Sequence, residues 1–147
     1  MRNYIRTSVV VLLLAIFALP SFAQRRPKDK LLDRVKFVVI MDDQSDKKKK
    51  AESFEEELSF RNNRMSTRQM RTPDRGSFQM GEYAISKVEK IMDDAVYHFQ
   101  AINKNPKGMS LKWEGKVLGN RIEGKATVSK KGKIKEVYSF SGEKKEK

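Results

Sequence analysis

The sequence predicts an all-β domain: an eight-stranded antiparallel up-and-down barrel, with a two-sheet β-sandwich as the alternative. Three observations predict it. Residues 109–142 form three alternating strands joined by turns that contain Asn and Gly. Five more short apolar or alternating segments precede them, separated by short polar connections. The long helical runs that an α/β domain needs are missing. Eight antiparallel strands in order are enough to close such a barrel, wide enough for packed side chains or one small ligand.

Residues 1–23 predict an export signal. Arg2 and Arg6 supply positive charge, and residues 8–19 are mostly apolar. Pro20 breaks the helix, and Ser21-Phe22-Ala23 offers small residues for cleavage after Ala23. The apolar run is shorter than the ~20 residues that span a bilayer. The expectation is therefore an exported chain, periplasmic or secreted, with no transmembrane segment after cleavage. The chain has no cysteine, hence no acylation site for a lipoprotein and no disulfide. The rest is one ordinary domain: a flexible segment at 24–33, the barrel at 34–143 and a charged tail at 144–147. The formal net charge of +13 becomes +11 without the two leader arginines, which favours acidic partners.

The strands follow in order. Residues 35–41 are β-branched and apolar, a first strand, and 42–53 form a polar loop. Residues 54–60 set Phe54, Leu58 and Phe60 on one face. Asn62-Asn63 makes a two-residue turn that pairs Phe60 with Met65, and a third strand runs over 64–70. Pro73 and Gly76 mark a loop at 71–77. The fourth strand is 78–88, with Tyr83 and Ile85, and 89–94 is a connection. Residues 95–102 alternate Ala95, Tyr97, Phe99 and Ala101 against Val96, His98, Gln100 and Ile102. A loop at 103–108 leads into the last three strands.

Gly119-Asn120 supplies the turn that fixes the next register. Leu118 opposes Arg121, Val117 opposes Ile122, and Leu111 opposes Val128. One face is then Leu111, Trp113, Gly115, Val117, Ile122, Gly124, Ala126 and Val128. The other carries Lys112, Glu114, Lys116, Glu123, Lys125 and Thr127, with two opposite-charge cross-strand pairs. A one-residue slip inverts the faces, so the register is well specified. A charged outer face also argues against an outer-membrane barrel, which needs an apolar band there. A three-residue turn, Lys130-Lys131-Gly132, sets Val128 against Ile134, Gly124 against Tyr138 and Ile122 against Phe140. Tyr138 then covers the strand glycine. Glu136 points inward in this register, near the barrel mouth unless a bulge turns it out.

The pattern Trp113-x-Gly115-x-Val117-x-Gly119-Asn120-x-Ile122-x-Gly124, followed by Tyr138-x-Phe140-x-Gly142, resembles a group of small secreted bacterial lipocalin-like barrel proteins. Leu58-x-Phe60 and Tyr83 extend it weakly upstream. The resemblance implies the barrel fold and brings no activity with it. Trp113 is the sole tryptophan and lies late, so the early Gly-x-Trp of true lipocalins is missing.

In an up-and-down barrel alternate connections share an end. One end collects Lys47, Lys48, Lys49, Lys50, Arg71, Arg75, Lys104, Lys107, Lys130, Lys131 and Lys133 against five acids; the other balances three bases with three acids. The sequence thus predicts a positive rim. It also offers Trp113, Tyr138, Tyr97 and Phe99 as rings facing a pocket below that rim.

Catalytic machinery is hard to find in the sequence. His98 is the only histidine, so any Ser–His–Asp triad would depend on it, and it lies on the strand face opposite Tyr97 and Phe99. No His/Cys cluster has zinc spacing. Asp42-Asp43-x-x-Asp46 lacks the glycine and glutamate of a calcium loop. No glycine-rich phosphate loop opens a helix. The expectation is a non-enzymatic protein with no cofactor and no metal. Two functions stay open: binding of a small hydrophobic or anionic amphiphile inside the barrel, or a basic surface that binds an acidic polymer, membrane surface or protein partner. Nucleic acid is not expected, because export removes the chain from most of it.

Overall fold

The structure, a computed structural model, describes residues 29–45 and 52–146. The leader and Lys47, Lys48, Lys49 and Lys50 lie outside the described residues. Eight strands follow in chain order: β1 (Lys36–Asp43), β2 (Ser53–Arg61), β3 (Arg64–Thr67), β4 (Gly81–Ile91), β5 (Asp94–Lys104), β6 (Met109–Leu118), β7 (Arg121–Lys130) and β8 (Lys133–Lys144). Each pairs antiparallel with the next, and β1 closes the ring on β8, as in Val39 opposite Gly142. Among the described residues no helix is long and apolar enough to cross a membrane.

The β6–β7 register is the one the Gly119-Asn120 turn predicts, from Leu118–Arg121 out to Leu111–Val128. Leu111, Trp113, Val117, Ile122, Ala126 and Val128 are buried inside. On the outer wall Lys116 and Glu123 form a cross-strand ion pair at 2.9 Å. Glu114 opposes Lys125 in the ladder, but its carboxylate takes Lys112 of its own strand at 2.9 Å.

The β7–β8 register differs from expectation. The turn has two central residues, Lys131 (φ 50°) and Gly132 (φ 75°), and Lys130 pairs with Lys133. Lys135 is then an extra residue in a bulge. Val128 faces Glu136 instead of Ile134, Gly124 faces Phe140 instead of Tyr138, and Ile122 faces Gly142 instead of Phe140. The bulge releases Ile134 to the outside, where it is 66% exposed. It also brings the Phe140 ring over the paired glycines. A Cβ on Gly124 would lie 2.7 Å from Phe140 Cζ and 2.2 Å from the Glu114 carbonyl oxygen. Phe140, helped by Phe99 beside Gly115, covers the bare backbone strip that the sequence assigned to Tyr138.

The middle strands also shift. β3 stops at Thr67, and β4 starts three residues later than expected and runs past Val88 to Ile91. The residues between, 68–80, turn into the barrel mouth and bury Met70 and Phe78 in the core. Glu56 holds them there. It shares the inner face of β2 with Phe54, Leu58 and Phe60, and is itself fully buried. Its Oε1 accepts the backbone N–H groups of Glu57 (2.8 Å), Arg68 (2.6 Å) and Gln69 (2.9 Å), and its Oε2 accepts that of Met70 (2.8 Å). Four donors at a buried carboxylate offset much of its desolvation.

The opposite end is closed by residues 29–35, part of which was expected to be flexible. Asp29 accepts the Tyr83 hydroxyl at 2.7 Å and donates its own N–H to Asn63 Oδ1 at 2.7 Å. Arg34 N–H bonds the Phe60 carbonyl, and Leu32 inserts into the core. The C-terminus is tied down nearby. Lys145, in the charged tail, meets Glu57 at 2.7 Å, and Lys36 approaches the same carboxylate at 3.3 Å. The Lys145 hydrogen bond, with Lys36 beside it, holds the Glu57 carboxyl below its ordinary value against the opposing effect of burial.

Candidate anion-binding rim

The four rings expected to face a pocket do not form one site. Trp113 is fully buried, and its indole N–H donates to Asn103 Oδ1 at 3.0 Å. Phe99 packs edge-to-face on Phe60 at 5.4 Å between centroids, and Phe60 meets Phe37 and Tyr83 in the same way. Trp113 packs on Phe140 at 5.3 Å. Tyr97 is half-buried near the opposite end, opposite Val117. Tyr138 alone stands at the mouth. Its ring meets Phe54 at 5.8 Å, and its hydroxyl donates to Glu136 at 2.8 Å. Burial first, and Glu136 second, push that hydroxyl's pKa above its ordinary value.

The interior's polar side chains are mostly committed. Asn103 donates to the Met65 and Gln79 carbonyls while it accepts from Trp113. Asn105 donates to the Gly76 carbonyl and accepts the Met109 N–H. Thr67 Oγ1 is buried without a partner. The barrel is a filled scaffold with chain folded across both ends.

Charge at the mouth is mixed. A cleft of about 430 Å³ there is lined by Arg75, Lys107 and Lys135, but also by Asp43, Glu52, Asp74 and Glu136. Arg75 is already engaged: its guanidinium lies 3.6 Å over the Phe54 ring and 3.8 Å from Glu52. The positive field sits beside this cleft. The ladder places Lys104 next to Ser110, and Met109 next to Lys130, so the ends of β5 to β8 form one corner. Lys104, Lys107, Lys130, Lys131, Lys133 and Lys135 are all exposed there. None is ion-paired among the described residues. Lys130 and Lys133 even oppose each other directly, a like-charge pair that destabilises the turn. Arg71 is exposed on the segment that crosses the mouth.

Lys135 was missing from the sequence reading. Only the bulge sets it on this rim, and the spacing of KKGKIK gives no sign of that. Glu56 was missing too, although it shares period-2 spacing with Phe54 and Leu58.

A second concavity of about 540 Å³ lies on the outer wall over the glycine pair, lined in part by Ser86, His98, Gln100, Ser139 and Ser141. His98 Nε2 pairs with Glu89 Oε2 at 3.0 Å, and Glu89 also takes Lys87. Lys87 first, then His98, hold the Glu89 carboxyl below its ordinary value. Ser86 Oγ donates to the His98 backbone carbonyl, not to its ring. Among the described residues no group of three His, Cys, Asp or Glu side chains is placed to hold a metal ion. The chain matches no protein-family model, no curated protein and no solved structure.

Proposed function

We propose that this chain is an exported, non-enzymatic module that binds an acidic polymer through the lysine corner, with the filled barrel as its scaffold. The observation that supports it most is the set of six exposed lysines, unpaired among the described residues, on one corner of a barrel whose interior is occupied by rings. Unpaired ammonium groups attract sulfate, phosphate or carboxylate groups without first breaking an internal pair. Lysine on a flexible stem suits a polymer of variable geometry better than a fixed fork does. A leader at 1–23 delivers such a module to the envelope or beyond, where acidic polysaccharides are exposed.

The test is binding of a sulfated polysaccharide such as heparin across a salt series. Two variants lose equal charge: K130S/K131S/K133S on the corner and K112S/K116S/K125S on the wall. Affinity should fall steeply with ionic strength, because exposed charges are screened within about 10 Å at 0.1 M salt. The corner variant should bind at least about tenfold more weakly than the native chain, and the wall variant should change little. Equal losses in both would reduce the effect to net charge and refute the corner. Uptake of a fatty acid that shifts Trp113 emission would favour the interior reading instead.

A further inference from the structure

The barrel has one tall hairpin whose outer edge, among the described residues, is mostly unpaired. β3 contributes only Arg64 and Met65 to β4, opposite Glu82 and Gly81, and one further bond runs from Tyr83 N–H to the Asn63 carbonyl. β4 continues to Ile91, and no described residue pairs with residues 84–91 on that side. The same stretch exposes apolar side chains: Val88 is 54% exposed, Ile91 55% and Met92, at the tip, 96%.

The free backbone groups can be assigned. Ile91 and Asp94 close the two-residue turn, so theirs is a hydrogen-bonded pair. Bonded and non-bonded pairs alternate along an antiparallel ladder. Glu89–Val96 is therefore bonded, and Val88–Tyr97 and Lys90–Ala95 are not. Val88 and Lys90 aim their N–H and C=O away from β5, into the open edge.

The residues on that edge match a second copy of themselves. We propose that two copies of this chain associate through β4, antiparallel, with Val88 on the two-fold axis. Val88 then faces Val88 of the second copy, and each Lys87 faces a Glu89. Both charged residues stand on the outer face, and both valines on the inner one. A one-residue slip sets outward against inward side chains. A two-residue slip places Glu89 on Glu89, or Lys87 on Lys87, which opposes pairing. Complementarity about a two-fold axis is what a symmetric dimer requires of one surface. The extra residue Ser86 ends the regular edge, because the register shifts between Ile85 and Lys87. The contact is short, so the dimer is weak and concentration-dependent.

Sedimentation velocity on the protein recovered from whole-chain expression tests this, up to about 300 µM, the range of a small transient interface. The native chain should shift from monomer towards dimer. Lys87→Glu and Glu89→Lys should each weaken the dimer at least about tenfold, because each creates two like-charge contacts. The double exchange K87E/E89K restores the pairing and should restore the dimer. The chain has no cysteine, so Val88→Cys gives a second readout. A bonded pair holds its Cα atoms about 5.5 Å apart, within disulfide reach. Val88→Cys should oxidise to a covalent dimer. Lys90→Cys should not, since its two copies would lie about 13 Å apart along the strands. A native chain that stays monomeric at the highest concentration overturns the proposal, as does a dimer unaffected by the single exchanges.

Discussion

The Glu56 carboxylate and the Met70 backbone N–H meet at 2.8 Å inside the barrel, and that bond is one of three that fasten the segment across the mouth. Glu56→Ala strands the donors of Arg68, Gln69 and Met70 and should cost about 3 kcal/mol. Glu56→Gln keeps the size but turns an amide N–H₂ toward N–H donors, and should cost about 1–2 kcal/mol. Urea unfolding gives both values. Amide exchange at residues 68–70 should accelerate first, and unchanged exchange there would contradict the fastening role.

Gly124→Ala should destabilise more than Gly115→Ala. A Cβ on Gly124 meets fixed backbone, 2.2 Å from the Glu114 oxygen, whereas the nearest atoms to one on Gly115 belong to the rings of Phe99 and Phe140, at 2.6–2.9 Å. Overpacking of this kind costs about 1–3 kcal/mol. Phe140→Leu should rescue part of the Gly115→Ala loss and little of the Gly124→Ala loss. Thermal melting of the four variants checks the order.

Lys133→Glu should stabilise the barrel and weaken polyanion binding together. It turns the Lys130–Lys133 repulsion into an attraction, a change of about 0.5–1 kcal/mol at low salt. High salt should shrink the gain. A variant that is neither more stable nor poorer at binding heparin would leave the like-charge turn without a role.

Glu57 links stability to pH. Lys145 and Lys36 lower its folded pKa beneath the ordinary 4.5. Its contribution is therefore complete above 4.5 and fades as pH falls through the lowered folded value. Both lysines are about half exposed, so the effect is about 0.5 kcal/mol. Glu57→Gln should lose that amount at pH 7 and match the native chain in acid. Paired denaturant titrations at the two pH values decide it.

Much of the fold was legible because paired-strand periodicity is local. Gly119-Asn120 and Asn62-Asn63 announce their turns, and the alternation around them fixes which side faces in. The β7–β8 slip was not legible. Lys131-Gly132 fits a two- or a three-residue turn, and only the packing of Phe140 over Gly124, a non-local contact, selects the bulge. The mouth segment was hidden for a related reason. Met70 and Phe78 look like ends of strands until Glu56, a charged residue in an apolar row, collects the amides of Arg68, Gln69 and Met70. Lys104, Lys107, Lys130, Lys131 and Lys133 share one corner because strand order decides which connections share an end, whereas Lys47, Lys48, Lys49 and Lys50 lie outside the described residues. Which lysines stay unpaired depends on side-chain geometry.

Asp29 and Glu146 both lie at the end of the barrel away from the lysine corner, since the chain enters beside Asn63 and leaves beside Lys36. A tag, a fluorophore or a biosensor chip coupled beside Glu146 would therefore hold the molecule by its back and present the basic corner to solution. Immobilised measurements on this protein should then report the corner's own affinity without obstruction by the attachment.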